Sequence, residues 1–428
     1  MNFFLISLGC PKNLTDSEDF CARLLAHGHN LVFDVKDADT VLINTCGFLA
    51  SSVKEAEENI KYALKLKKAG KIKKIFVTGC MVERLGKSVL KKFPKIDLAF
   101  SIKAQDNIEN ILGKHGTLLP AISKTLHAPE FKMGLTLPHT AYLKIADGCN
   151  NRCSYCTIPF IRGIYRSKPL EEVLEEAKIM AASGVKEISL IAQDTTSYGQ
   201  DLYGKPQLEK LLKKLVKIKG LERFRIMYAY PHRVTKELAK IMAGEEKIYP
   251  YLDLPLQHIS APILKAMNRH CGPEQIKEVL AMLRETVKDI AIRTNFIVGF
   301  PGETEEQFEE LKTFVRDFKF ENVAVFEYFR ERGASSYNFK NQITAAVKRR
   351  RALELEAVQS RVIDGINKKL IGKNIEVIAD TPTLGRTYKD APDIDGTVTF
   401  DKPVTPGKIF KAKIVSAIGY QRKAKVNR

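Results

Sequence analysis

Eight cysteines are spread along 428 residues, and three of them crowd into one short run, Ala146-Asp-Gly-Cys-Asn-Asn-Arg-Cys-Ser-Tyr-Cys156. Cys149, Cys153 and Cys156 thus have Cys-x3-Cys-x2-Cys spacing. A loop of this size can wrap three thiolates around one iron–sulfur cluster. A cubane has four irons, so three cysteines leave one iron without a protein ligand. An open position on a metal centre is where a reactant enters, as it is on zinc. The alternative is a zinc site completed by a fourth ligand from elsewhere, although zinc more often uses Cys-x2-Cys pairs.

Three further cysteines share one structural context. Cys10, Cys46 and Cys80 each follow a short apolar run: Phe3–Leu8, Thr40–Thr45 and Lys74–Gly79. Helical patterns lie between these runs, and strands alternating with helices imply a parallel sheet. Loops after parallel strands emerge at one edge, so three cysteines far apart in sequence converge in space. That arrangement suits a second three-thiolate cluster. Three ordinary buried cysteines are the alternative, since cysteine is a common core residue. Cys21 falls within a helical stretch expected to start at Asp16-Ser-Glu, and Cys271 in a His-Cys-Gly-Pro turn; both read as structural.

The rest of the chain is organised to hold these groups. Residues 1–115 read as an α/β domain, and residues 116–134 as a linker with irregular, proline-bearing sequence. Residues 135–364 contain six strand candidates, at 141–147, 187–193, 224–230, 251–256, 292–298 and 323–329, with helical patterns between them. Six βα units in succession predict a partial or complete (β/α) barrel. The Cys149 loop follows its first strand, at the carboxyl edge where such folds do chemistry. A long charged helix spans 344–370. Residues 367–428 change to short strands with Gly, Pro and Asp turns, which suggests a small OB-like β-barrel.

The formal net charge is +19. Such a balance favours contact with nucleic acid or with a particle rich in it, such as the ribosome. No apolar run approaches the ~18 residues that a membrane helix needs. The N-terminus has no basic n-region and runs straight into a strand, unlike a signal peptide. Oxygen-labile clusters and unpaired cysteines fit a reducing cytoplasm. Nothing in the sequence demands more than a monomer.

The Cys149/Cys153/Cys156 motif, with aromatic Tyr155 before its third cysteine, resembles the radical S-adenosylmethionine (SAM) superfamily. With the Cys10/Cys46/Cys80 set and the C-terminal β-domain, essentially the whole chain resembles the methylthiotransferase family. The family's order is a cluster-bearing N-terminal domain, a radical SAM core and a TRAM domain. Three stretches resemble the branch that modifies small-subunit ribosomal protein twelve rather than the branch that modifies tRNA adenosine. They are Leu8-Gly-Cys-Pro-Lys-Asn-Leu-Thr-Asp-Ser-Glu18, Ala192-Gln-Asp-Thr-Thr-Ser-Tyr-Gly199 and Gly385-Arg-Thr-Tyr-Lys-Asp-Ala-Pro-Asp-Ile-Asp-Gly396. The third carries Asp390, Asp393 and Asp395, a group that would repel phosphates and could receive a basic ribosomal protein. One stretch departs from the family: Phe329-Arg-Glu-Arg-Gly-Ala-Ser-Ser336 stands where an acidic Glu-Gly-Thr stretch is usual.

The resemblance implies two 4Fe-4S clusters and SAM as cofactors. It implies that SAM at the Cys149/Cys153/Cys156 cluster yields a 5′-deoxyadenosyl radical, which takes hydrogen from an aspartate β-carbon. The methylthio group would come from the open iron of the Cys10/Cys46/Cys80 cluster. A flavodoxin-like or ferredoxin-like electron donor is implied, with ribosomal protein twelve as substrate, free or on the ribosome. Tyr155 belongs to the SAM site by the same resemblance. Gln193 and Asp194, at the end of the second core strand, are candidates to hold the SAM amino group. Gly299 and Gly302, in Val298-Gly-Phe-Pro-Gly-Glu303, permit close backbone approach to adenine; a plain tight turn is the alternative. His258, after the fourth strand, is the remaining candidate, though a lone His is more often a satisfied structural residue.

Overall fold

The computed structural model describes residues 1–119, 126–128 and 133–426. Much of the expected linker lies outside the described residues. Its first residues do not begin a linker, however: Gly116–Leu118 is a strand of the N-terminal sheet. A three-residue Gly-Thr-Leu run has too little apolar pattern to announce itself.

Six parallel strands form that sheet, in the order Asn30–Val32, Asn2–Ser7, Thr40–Thr45, Lys74–Gly79, Leu98–Phe100, Gly116–Leu118. Apolar clusters cover both faces, as a parallel sheet requires. The first helix runs Pro11–Ala26 and so starts five residues before the expected Asp16. Pro11 at its first turn supplies the pre-set φ. The acidic residues that resemble a helix start, Asp16, Glu18 and Asp19, are instead buried within it.

The central sheet has six parallel strands paired in chain order: Thr140–Lys144, Glu187–Ile191, Arg223–Ile226, Ile248–Asp253, Ala291–Val298 and Asn322–Glu327. Its two edge strands do not pair with each other, so the barrel is partial. Strand alternation divides the faces. Leu143, Ile188, Leu190, Phe224, Ile226, Leu252 and Ile292 pack under the helices. Tyr142, Ile191, Met227, Tyr249 and Tyr251 turn to the other face. The helix Ala345–Lys368 then leads to a closed five-stranded barrel over Asn374–Val426.

That barrel sends its loop 388–395 onto the second face of the central sheet. Tyr388, Ala391 and Ile394 join the Tyr142–Tyr251 cluster. Arg293 binds Asp395 at 3.1 Å, and the Tyr251 hydroxyl donates to Asp395 at 2.8 Å. Asp390 is fully buried and holds Arg422 at 2.9 Å. The acidic loop is therefore not an open receptor for a basic partner: two of its three carboxylates face inward, and only Asp393 is exposed. The departing stretch at 329–336 also has an internal task. Glu331 accepts from Arg84 at 2.6 Å and from the Ala50 N–H at 2.8 Å, tying the N-terminal domain to the core.

Removing one partner of a buried ion pair leaves the other charge uncompensated, at a cost of about 3–5 kcal/mol. Asp390→Ala should lose stability of that order, whereas Asp393→Ala should stay within about 0.5 kcal/mol. Urea unfolding followed by circular dichroism separates the two; equal losses would refute the inward assignment.

Candidate active site

The Cys149 loop hangs between the strand Ala146–Asp147 and the short helix Ile158–Arg162. Its backbone is folded on itself: the Cys156 N–H donates to the Cys153 carbonyl at 3.0 Å, and the Cys149 N–H to the Gly163 carbonyl at 3.1 Å. Donors converge on the sulfurs. The Ile158 N–H lies 3.4 Å from Cys156 Sγ, the Tyr230 hydroxyl 3.4 Å and the Arg269 guanidinium 3.6 Å from Cys153 Sγ. Such donors stabilise thiolate over thiol. Burial works the other way, pushing the Cys149 thiol to about 11 and the Cys156 thiol to about 12. Three half-buried thiols, two of them met by N–H, O–H and guanidinium donors, fit a group that takes thiolates and leaves its sulfurs as acceptors.

Cys10, Cys46 and Cys80 are brought together by glycine. A Cβ on Gly9 would stand 2.9 Å from Cys46 Cβ and 3.1 Å from its Sγ. One on Gly47 would stand 2.5 Å from the Met81 nitrogen and 2.6 Å from the Cys80 carbonyl. Only side-chain-free residues let the three strand ends close to this degree. Cys10 directly precedes the helix Pro11–Ala26, and Cys80 opens the helix Cys80–Leu85 rather than lying in a loop. Burial lifts the Cys80 thiol to about 12, against the pull of Arg162.

Among the described residues, no three His, Cys, Asp or Glu side chains are gathered as one metal ion would need. Around a single zinc the ligand sulfurs lie within about 4 Å of one another. A four-iron cluster spreads its ligands over separate irons, so three cysteines would leave one iron open.

Arg162 links the two trios. It stands six residues after Cys156, yet its guanidinium lies 3.3 Å from Cys80 Sγ. It also binds Asp16 at 2.7 Å and Asp147 at 3.3 Å. Lys144 reaches Asp16 at 2.5 Å. Burial alone would push Lys144 down, but Asp16 and Asp19 outweigh it and hold it raised. Asp147 is held low by Arg162 and Lys144 against its own burial.

The other candidates divide. Gln193 donates through Nε2 to Asp147 at 2.8 Å, while its Oε1 is buried without a partner. Asp194 has no free oxygen: Asn151, Thr196, Ser197 and Arg233 all donate to it, so it visibly fixes Asn151 of the cysteine loop. Gly299 and Gly302 both have positive φ, +71° and +85°, in a turn anchored by buried Glu303. Phe300 of that turn packs in one cluster with Tyr155, Met267 and Tyr328. Tyr155 and the glycine turn therefore flank the same side of the cysteine loop. His258 lies elsewhere in purpose: it is buried against Glu303 at 3.1 Å and braces the turn.

Family models match three parts of the chain: the radical SAM superfamily over residues 143–315, Uncharacterized protein family UPF0004 over 2–101, and the TRAM domain over 371–426. A curated relative from Elusimicrobium minutum, the ribosomal protein uS12 methylthiotransferase RimO, is 52% identical over 99% of both chains. The chain belongs to the RimO methylthiotransferase family. The member from Carboxydothermus hydrogenoformans is 42% identical over 97% of both chains. Among solved structures, the radical SAM methyltransferase TsrM from Kitasatospora setae, with tryptophan and a SAM analogue bound, has a similar fold. Its TM-score is 0.58 at 14% identity, over 94% of this chain and 80% of that one.

Several residues of this RimO-family site carry no motif in the sequence. Arg162, Arg269 and Tyr230 sit outside the cysteine run; the one signal for Arg162 is a charge ending an otherwise apolar Ile-Pro-Phe-Ile turn. Asp16 was legible only as a helix start.

With φ +95° and the Cys46 contact, Gly9→Ala should misplace Cys46. After anaerobic reconstitution that variant should hold about half the wild-type iron, one four-iron cluster being lost. Undiminished iron would show that this trio holds no cluster.

Proposed function

We propose that the chain is a radical SAM methylthiotransferase that adds a methylthio group to the β-carbon of an aspartate in ribosomal protein uS12. The observation that carries this is the meeting of two cysteine trios at one seam, linked through Arg162, in a chain 52% identical to a RimO protein. The reaction needs two functions at one place, and Arg162, six residues after Cys156 and 3.3 Å from Cys80 Sγ, ties the two sets of thiols together. Bound there, two 4Fe-4S clusters and SAM supply the hydrogen abstraction and the methylthio group.

The chain's own residues have these roles. Cys149, Cys153 and Cys156 hold one cluster, and Cys10, Cys46 and Cys80 the other. Tyr230, Arg269 and the Ile158 N–H donate to the sulfurs of the first and keep water from them. The free Gln193 Oε1 is oriented to accept from the SAM amino group, with Asp147 fixing its amide. Tyr155 and the turn of Gly299 and Gly302, which flank one side of the cysteine loop, would border SAM. Asp194, which accepts from Asn151, Thr196, Ser197 and Arg233, holds the loop. Among the described residues, no helix is long and apolar enough to cross a membrane. We read the protein as a cytoplasmic monomer, reduced by a flavodoxin-like or ferredoxin-like donor.

Mass spectrometry of small-subunit proteins and digested tRNA, with and without this gene, tests the reading. Loss of methylthio-aspartate from uS12 is expected; loss of a methylthioadenosine with uS12 unchanged would move the chain to the tRNA branch. In vitro, Cys153→Ala should abolish SAM cleavage. Cys46→Ala should still cleave SAM but insert no sulfur; sulfur insertion by that variant would refute the two-cluster assignment.

A further inference from the structure

The seam between the cysteine trios contains several cations, and nearly all have acidic partners. Arg162 and Lys144 hold Asp16, and Arg162 also holds Asp147. From the sheet face that the C-terminal barrel covers, Arg293 takes Asp253 at 3.1 Å, as it does Asp395. Arg233 binds Asp194 at 2.8 Å. Arg269 donates to the Pro255 carbonyl at 2.6 Å and lies over Tyr230 beside Cys153.

Lys12 differs. It stands two residues after Cys10, in the first turn of the helix Pro11–Ala26, and reaches across the seam into the core domain. Its ammonium sits 3.1 Å from the centre of the Tyr228 ring and 3.5 Å from the Ala192 carbonyl oxygen. Among the described residues it has no ion pair. The nearby carboxylate of Asp253 is already taken by Arg293 and by the Tyr228 N–H at 3.2 Å. An ammonium has three donors, and one long bond to a carbonyl leaves most of that capacity unused.

Its place matters as much as its valence. Ala192 and Tyr228 follow the strands Glu187–Ile191 and Arg223–Ile226, so Lys12 lies at the carboxyl edge of the core sheet. Gln193, with its free oxygen, is the next residue along from Ala192. Tyr228 has φ +59°, a left-handed conformation that an aromatic residue rarely adopts. Such strain persists where the surroundings hold a side chain to a task, and here it presents the ring to Lys12.

We propose that Lys12 is the specificity residue for the side-chain carboxylate of the acceptor aspartate, an inference that rests on the function proposed above. The β-carbon is one bond from the carboxylate carbon. Anchoring the carboxylate on Lys12 therefore places the reacting carbon at the seam between the trios. The pairing also separates aspartate from asparagine, because an amide offers the ammonium one acceptor oxygen but no negative charge.

The test uses intact uS12 and uS12 with the acceptor aspartate changed to asparagine, against reconstituted wild-type, Lys12→Met and Lys12→Arg proteins. A charge-assisted bond corresponds to about ten- to a hundredfold in affinity. The wild type should prefer aspartate by that factor. Lys12→Met should lose the preference, with the change carried by KM for uS12 more than by kcat, and Lys12→Arg should restore part of it. Calorimetric binding of both uS12 forms to protein without reconstituted clusters should give the same ranking. Retention of the full aspartate preference by Lys12→Met would overturn the proposal. So would a rise in KM for SAM in place of that for uS12, which would assign Lys12 to the SAM carboxylate. Wild-type enzyme that leaves native uS12 unmodified would overturn the functional reading itself, and no Lys12 variant is needed to see that.

Discussion

A buried guanidinium sets the geometry of this protein. Arg162 is almost fully enclosed, and an isolated charge there would be strongly unfavourable. It is tolerated because Asp16 and Asp147 approach from two domains, with Cys80 Sγ as a third acceptor. These partners belong to separate stretches of chain, so the charge is satisfied only when the N-terminal domain sits on the core in one orientation. Buried ion pairs add little net stability over apolar packing, but they penalise misalignment heavily. For a reaction that needs two thiol-bound centres at a defined separation, penalised misalignment is the useful property.

The opposite side of the core is fixed by the same logic. The C-terminal barrel reaches under the open sheet with loop 388–395, where Arg293 and Tyr251 meet Asp395. Glu187, buried on the same barrel-covered face of the sheet, holds Arg386 at 2.9 Å and Arg225 at 3.3 Å. A partial barrel leaves a sheet face exposed to solvent. Here a third domain covers it with paired charges and tyrosines, while Lys12, Gln193 and the cysteines stand at the carboxyl edge.

Much of this was legible in the sequence. The six core strands and the Cys149 loop announce themselves because apolar runs and clustered thiols are local patterns. Cys10, Cys46 and Cys80 were legible because each follows a strand, and parallel strands bring their ends to one edge. What was hidden is what depends on pairing across domains. Asp16 looked like a helix start, because an acidic residue near Ser and Glu has the same local signature whether it caps a helix or binds Lys144. Asp390 and Asp395 looked like a surface patch because their partners, Arg422 and Arg293, lie 32 and 102 residues away. Gly9 and Gly47 gave no signal of their own; their necessity appears only against Cys46 and Cys80.

The charge balance takes its meaning from the same pairing. The chain carries a formal +19, yet among the described residues the fully buried acids outnumber the fully buried bases. The excess of lysine and arginine is thus an outer-surface property, and the interior is slightly acidic. Surface charge of one sign acts at a distance through the field it sets up, while buried charge acts through contact. The basic exterior suits approach to a particle rich in phosphate, and the inward-facing carboxylates of loop 388–395 do not oppose it. Within the seam the balance is finer. Among the described residues, each cation there but Lys12 either faces a protein carboxylate or, as Arg269 does, spreads its donors over a carbonyl, a ring and a sulfur. An acidic side chain entering the seam therefore meets a local field already close to neutral, in which one ammonium decides where it settles.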